Sequence, residues 1–178
     1  MLAVFDYDVL IHKIGYACEK RHVVVRHKET GWSKEFKNIT EFWGRGKKIG
    51  GWLGEKNARA VAKGKPEASK EDFEYETIRV ADEIQNALYS LKVTIERCIA
   101  QIGATEYMGY IGKGDPFRVN LSTLQKYKGS RDPNDKPILK DELINYLVKY
   151  HNAILVSDLP THPEYKEPLE ADDWVNIE

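Results

Sequence analysis

The chain has 178 residues, of which 42% are hydrophobic and 31% are charged, and its formal net charge is −1. These values are typical of one globular domain with a sizeable core, and they exclude a global basic field that would recruit nucleic acid by itself. The two cysteines, Cys18 and Cys98, form neither a disulfide framework nor a zinc site. The opening apolar run is interrupted by Asp6 and Asp8, so it does not resemble a signal peptide, and no stretch is long enough to span a bilayer. We expect a cytoplasmic protein without a membrane partner.

The first 65 residues predict short elements separated by turn residues. Their bounds follow from apolar periodicity and from glycine-rich or polar breaks. Asp8 is a candidate N-cap for the first helix. The predicted elements are a strand over 2–6, a helix over about 9–20, hairpin strands over 22–27 and 32–37, a short helix through Phe42-Trp43, a loop over 44–54 and a short helix over about 55–63.

The strongest periodic pattern lies between Phe73 and Ile102. Its apolar residues recur at spacings of three and four, which predicts one long amphipathic helix whose apolar face packs in the core. The residues of this face are Ile78, Ala81, Ile84, Leu88, Leu91, Ile95, Cys98 and Ile102.

The second half of the chain predicts two more core strands, over 107–111 and 153–156, with a helix over about 140–150 before the last strand. Strand–helix–strand alternation is typical of a parallel sheet covered by helices. We therefore expect an α/β fold with a central sheet of parallel type, to which the β-hairpin and the long helix are added.

Three carboxylates crowd into the four residues Glu170-Ala171-Asp172-Asp173. They repel one another unless a positive charge lies between them, and hard divalent cations such as Mg²⁺ or Mn²⁺ prefer oxygen ligands of this kind. Acidic residues in the first turn of a helix also suit the helix dipole. By itself the run leaves both interpretations open, and a helix is predicted to start here.

Two further patterns favour a metal site over a purely structural role at the helix start for this acidic run. Asp6 and Asp8 fall near the C-terminal end of the first buried strand, and sites in open α/β sheets form outside the carboxyl ends of the strands. Tyr127-Lys128-Gly129-Ser130-Arg131 combines two cations with an aromatic ring. Carboxylates for a metal, cations for phosphate and a ring for base stacking are typical of metal-dependent phosphodiester chemistry.

In this order along the chain, the motifs resemble those of the 5′-nuclease (flap endonuclease) family, including bacteriophage 5′–3′ exonucleases and the 5′-nuclease domain of bacterial DNA polymerase I. The resemblance covers about residues 2–19 and 105–178. It rests on Asp6, Phe117-Arg118, Tyr127-Lys128-Gly129-Ser130-Arg131 and Glu170-Ala171-Asp172-Asp173. It implies a single 5′-nuclease N-terminal domain with a PIN-like core over residues 1–178.

The resemblance also implies a function and a set of site residues. The expected reaction is metal-dependent hydrolysis of DNA with a free 5′ end or flap, or of an RNA–DNA hybrid, by a replication exonuclease or endonuclease of phage type acting in a bacterial host. One or two Mg²⁺ or Mn²⁺ ions would be held by Asp6, Glu170, Asp172 and Asp173, with Asp115 as a further candidate and Asp8 acting through a water. The expected catalytic groups are Asp6, Asp172, Lys128 and Arg131, and the expected nucleic-acid contacts are Arg118, Lys126, Tyr127, Lys128 and Arg131.

Two departures from the family pattern keep other functions open. Relatives carry an Asp at the end of the second core strand, where this chain has Gly112 and only Asp115 nearby, which is otherwise an exposed turn residue. Relatives also continue past the acidic helix with a second acidic pair and a duplex-binding module. We therefore expect a truncated nuclease, or one half that a second chain completes. The alternatives are a non-catalytic nucleic-acid-binding or regulatory protein that retains the fold, and a PIN-like ribonuclease.

A basic segment over residues 42–65 has two interpretations as well. It holds seven Lys and Arg residues against Glu55 alone. Lys47, Lys48, Lys56 and Arg59 could extend a track for DNA, or the segment is an ordinary solvated surface.

Overall fold

The computed structural model describes residues 1–46, 48–112, 135–161 and 169–177. It divides into two compact units, one made of Met1–Glu19 with Ala81–Glu178 and the other of Lys20–Val80. In the described parts, no helix is long and apolar enough to cross a membrane. The elements in chain order are β1 (Leu2–Asp6), α1 (Tyr7–Ala17), β2 (Glu19–His27), β3 (Ser33–Phe36), α2 (Ile39–Trp43), α3 (Gly51–Val61), β4 (Phe73–Ala81), α4 (Ile84–Ile102), β5 (Glu106–Ile111), α5 (Lys140–Tyr150), β6 (Ala153–Leu155) and α6 (Ala171–Ile177).

The first unit contains a parallel sheet of strand order β1-β5-β6. Asp6 at the end of β1 pairs in register with Tyr110 of β5, and Ile111 pairs with Leu155 of β6. The predicted α/β class and the parallel sheet are confirmed. Because all three strands run the same way, their carboxyl ends lie along one edge of the sheet.

Helices cover both faces of this sheet. On one face, Phe5, Tyr107 and Leu155 pack with the apolar sides of α1, α4 and α5, including Ile11, Leu91, Ile95, Leu143 and Leu147, which are all fully buried. On the other face, Val4, Met108 and Ile154 pack with Ala171, Trp174 and Val175 of α6. The near-continuous apolar strands are explained by this burial on two sides.

The second unit contains a sheet of order β3-β2-β4. The predicted hairpin is confirmed, because β2 and β3 pair antiparallel with Val23 opposite Phe36 and Arg26 opposite Ser33. In the turn, Gly31 has a φ of +66°, a conformation that favours glycine. The buried residues of this unit are largely aromatic or β-branched: Val23, Val25, Phe36, Phe42, Leu53 and Phe73.

The long helix predicted between Phe73 and Ile102 is wrong in its first third. Phe73–Ala81 forms strand β4, and the helix α4 begins only at Ile84. Ile78 and Ala81 fall in phase with the helical spacing, but they belong to a segment of alternating aromatic, β-branched and charged residues that pairs with β2. Sheet pairing overrides the helical spacing here.

The predicted loop over 44–54 is also wrong at its end, because α3 begins at Gly51. Gly51 has a φ of +55°, and a Cβ at this position would lie 2.6 Å from the Glu41 carbonyl oxygen. The glycines that suggested an irregular loop are required by a tight connection from α2 into α3.

Candidate functional site

The carboxyl ends of β1 and β5 position the acidic residues from the start of the chain. Asp6 has extended backbone angles and is the N-cap of α1, where its Oδ1 accepts a hydrogen bond of 3.0 Å from the Asp8 main-chain N–H. The expectation that Asp8 caps this helix is therefore wrong, because the helix begins at Tyr7 and Asp8 already lies inside it. Capping fixes the orientation of the Asp6 carboxylate at the sheet edge.

Asp8 reaches from α1 to the residue that follows β5. Its Oδ2 accepts a hydrogen bond of 2.9 Å from the Gly112 main-chain N–H. Burial raises the pKa of the Asp8 carboxyl above its ordinary value, and the nearby Asp6 raises it further, while the Gly112 hydrogen bond and the charges of Lys140 and His12 oppose these effects. The net upward shift therefore comes mainly from burial, with a smaller contribution from the repulsion between Asp6 and Asp8.

The acidic residues from the other end of the chain come to the same edge. A Cβ placed on Gly112 would lie 2.6 Å from Asp8 Oδ2 and 4.0 Å from the Ala171 Cβ. Ala171 is buried between Glu170 and Asp172 at the start of α6. Because Asp8 Oδ2 and the Ala171 Cβ both lie near this position, the Glu170–Asp173 run begins beside the Asp8 carboxylate. Glycine at position 112 leaves room for that approach.

Two contacts hold the start of α6 in place. The Trp174 ring stacks on Tyr110 of β5, with ring centres 5.9 Å apart. The Glu170 main-chain N–H donates a hydrogen bond of 2.9 Å to Asp173 Oδ2, the reciprocal contact of a helix N-terminus. Asp173 thus stabilises the helix start, as the dipole interpretation of the acidic run expects.

Asp6 and the start of α6 lie at the same edge of the sheet, but no metal-binding group is formed by the described side chains. Among the described residues, no three His, Cys, Asp or Glu side chains are grouped so that they could hold a metal ion. The remaining predicted residues lie outside the described ranges, and their roles stay predictions: Asp115, Arg118, Lys126, Tyr127, Lys128 and Arg131.

The sequence analysis missed a cavity in the second unit. The Trp32 and Trp52 rings stack with centres 4.9 Å apart and planes inclined by 10°. Together with Glu55, Lys56 and Arg59 they line a cavity of about 210 Å³. The signal available was three tryptophans between residues 32 and 52 among lysines, but the loop predicted over 44–54 separated Trp52 from α3.

The fold and the sheet edge define an α/β protein with acidic side chains at the carboxyl ends of a parallel sheet. No protein-family model, curated protein or solved structure matches the chain. The resemblance to 5′ nucleases therefore depends on the quoted motifs alone.

Proposed function

We propose that this chain is a metal-dependent 5′ nuclease, or the N-terminal half of one, that hydrolyses phosphodiester bonds in DNA with a free 5′ end or flap. The observation that carries the proposal is the approach of Asp8, Gly112 and Ala171, which brings the start of α6, with its acidic run, to the sheet edge where Asp6 and Asp8 lie. In parallel sheets this edge is where sites form.

The donor chemistry at this edge fits a hard divalent cation. Asp6, Glu170, Asp172 and Asp173 offer only oxygen donors, which Mg²⁺ and Mn²⁺ prefer. Burial raises the pKa of the Asp8 carboxyl and the Asp6 charge adds to the shift, and a cation bound here would oppose both effects. When bound, such an ion lowers the pKa of a water ligand and neutralises charge on the scissile phosphate.

The chain's own residues orient the site and hold the substrate in this proposal. The helix cap at Asp6 and the Gly112 hydrogen bond fix two carboxylates, and the Tyr110–Trp174 stack fixes the start of α6. Lys128 and Arg131 would hold the scissile phosphate, since a guanidinium grips two oxygens at once. Tyr127, Lys126 and Arg118 would contact the adjacent nucleotides.

A cleavage assay tests the proposal. The protein is incubated with a 5′-labelled flap, with a nicked duplex and with single-stranded RNA, each in Mg²⁺, Mn²⁺ or EDTA. We expect short 5′ products from DNA only with metal, and a loss of at least about a hundredfold in rate for Asp172→Asn. The matched control is Glu106→Gln, at the opposite end of β5, which should cleave at the wild-type rate.

Asp6→Asn separates the two roles of Asp6. Asparagine caps a helix about as well as aspartate, so the free energy of unfolding in EDTA should change by less than about 0.5 kcal/mol. The cleavage rate should nevertheless fall as far as for Asp172→Asn, because the charge is lost. A variant that keeps both the wild-type stability and the wild-type cleavage rate would assign Asp6 to capping alone.

A second candidate is a non-catalytic nucleic-acid-binding protein that retains the fold. It is favoured by the observation that the described residues contain no group of three potential metal donors. Its signature is binding of DNA without cleavage, unchanged by Asp172→Asn. Cleavage of RNA alone would instead identify a PIN-like ribonuclease.

A further inference from the structure

The near-neutral total charge conceals two oppositely charged parts. The Lys20–Val80 unit contains 15 Lys and Arg residues against nine Asp and Glu residues, a formal charge of +6, whereas the rest of the chain carries 12 against 19, or −7. A segment of this size with such an excess attracts polyanions at ordinary ionic strength.

Three lysines of this unit, Lys34, Lys56 and Lys70, lie over aromatic rings. Lys56 Nζ is 5.3 Å from the centre of the Trp32 ring and 5.2 Å from that of Trp52. Lys34 Nζ lies 5.3 Å from the Trp52 ring, and Lys70 Nζ lies 5.2 Å from the Trp43 ring. Each ammonium group is thus held beside a flat apolar surface, so charge and ring are presented together.

The cavity lined by Trp32 and Trp52 combines these features with access to solvent. Lys56 and Arg59 are exposed and the two indoles are half-buried. Among the ion pairs of the described residues, Arg59 forms one, with the Glu55 carboxylate at 3.7 Å. Both side chains are exposed, and the two residues lie one helical turn apart. Such an exposed pair contributes little stability, so the guanidinium exchanges partners at small cost.

We propose that this cavity binds single-stranded nucleic acid, with a base stacked on the indole rings and the flanking phosphates contacted by Lys56 and Arg59. A single strand fits better than a duplex because its bases are free to stack on protein rings. An acidic peptide would match the charge but offers no flat ring. This inference depends on the Lys20–Val80 unit alone and not on the acidic sheet edge.

Binding in EDTA tests the charge, because no metal-dependent cleavage occurs there. The anisotropy of a 5′-labelled 12-residue oligothymidylate is measured against wild type, Lys56→Glu and Lys65→Glu. Both substitutions reverse an exposed lysine of the same unit, but Lys65 does not line the cavity. We expect Lys56→Glu to weaken binding about tenfold and to flatten its salt dependence, and Lys65→Glu to weaken it less than about threefold. Equal losses would overturn the cavity as the site.

A second measurement tests stacking. Wild type should bind an abasic strand of the same length roughly 5- to 100-fold more weakly than the base-containing strand, and only the latter should quench tryptophan fluorescence. Trp32→Leu, which keeps an apolar side chain, should remove most of this difference. Equal affinity for the two strands, or for polyglutamate, would overturn the proposal. These comparisons use the folded wild-type protein and hold even where Trp32→Leu is unstable.

Discussion

The two units of this chain build their cores and surfaces in contrasting ways. The unit that holds the termini buries aliphatic helix faces against a parallel sheet, and Asp6 and Asp8 lie where its first strand ends. The Lys20–Val80 unit surrounds a hairpin-containing sheet with stacked aromatic rings, and three of its lysines lie over aromatic rings. The overall charge and composition therefore describe neither unit, because each value averages two units of opposite charge and different core composition.

The contrast follows from size. A short segment has little apolar surface to bury, so it depends on side chains that bury much area each, and aromatic rings do this. Phe42 is fully buried and contacts Phe36, Trp43, Trp52 and Phe73. The larger unit instead distributes burial over many Leu and Ile side chains.

Phe42→Ala is expected to have the largest effect on stability. It removes the ring at the centre of the aromatic core, and loss of a buried phenylalanine costs about 3–5 kcal/mol. Tryptophan fluorescence during urea unfolding is the measurement, because three of the four tryptophans, Trp32, Trp43 and Trp52, belong to this unit. The control is Val61→Ala, at an exposed position in α3. A shift no larger than the control's would contradict the view that this ring organises the unit.

Gly109→Ala tests the packing of the parallel sheet. A Cβ there would lie 2.5 Å from Tyr7 Cε2 and 2.7 Å from the Phe5 carbonyl oxygen. Tyr7 cannot move aside easily, since its ring is buried and its hydroxyl donates to the His151 carbonyl oxygen at 2.7 Å. We expect a destabilisation of about 2–3 kcal/mol, measured by circular dichroism in urea.

The control for this prediction is Gly103→Ala. Gly103 ends α4 with a φ of +63° and nothing within 4 Å of the added Cβ, so only the backbone conformation is penalised, by about 1 kcal/mol. If both variants lost the same stability, the clash with Tyr7 would not be the cause.

Asp8→Asn should produce the smallest change and one that depends on pH. The pKa of the folded Asp8 carboxyl is raised, so the folded state binds more protons than the unfolded state between the ordinary pKa of 3.8 and the raised value. The contribution of this carboxyl to the wild-type free energy of unfolding is therefore fully present below pH 3.8 and is lost as the pH rises through the raised pKa.

Asparagine keeps an oxygen acceptor for the Gly112 N–H without the charge. In EDTA the variant should consequently be more stable than wild type at pH 7, and this gain should disappear towards pH 3. Thermal unfolding at several pH values measures it. A pH-independent difference would show that the carboxyl does not titrate abnormally, and a loss at pH 7 would show that the negative charge is stabilising.

Several elements could be predicted because their signals are local. The strand over 2–6, the helix from Lys140 to Tyr150 and the antiparallel hairpin all have the predicted type, and the first two have the predicted bounds. Apolar runs and turn residues determine these elements within a few neighbouring positions. The motif at residues 127–131 lies outside the described ranges, so its role in the site stays a prediction.

Residue patterns along the chain were enough to predict the α/β class, the parallel core strands and the acidic residues at the end of the first strand and the start of the last helix. The contacts of the folded chain were needed to show that Phe73–Ala81 is a strand, that Asp6 and not Asp8 caps α1, and that Trp32 and Trp52 line a cavity. The physical reason is separation along the chain. The Asp8 carboxylate meets the Gly112 N–H across 104 residues, and β4 becomes a strand through pairing with β2, so neither contact leaves a periodic signal in its own neighbourhood.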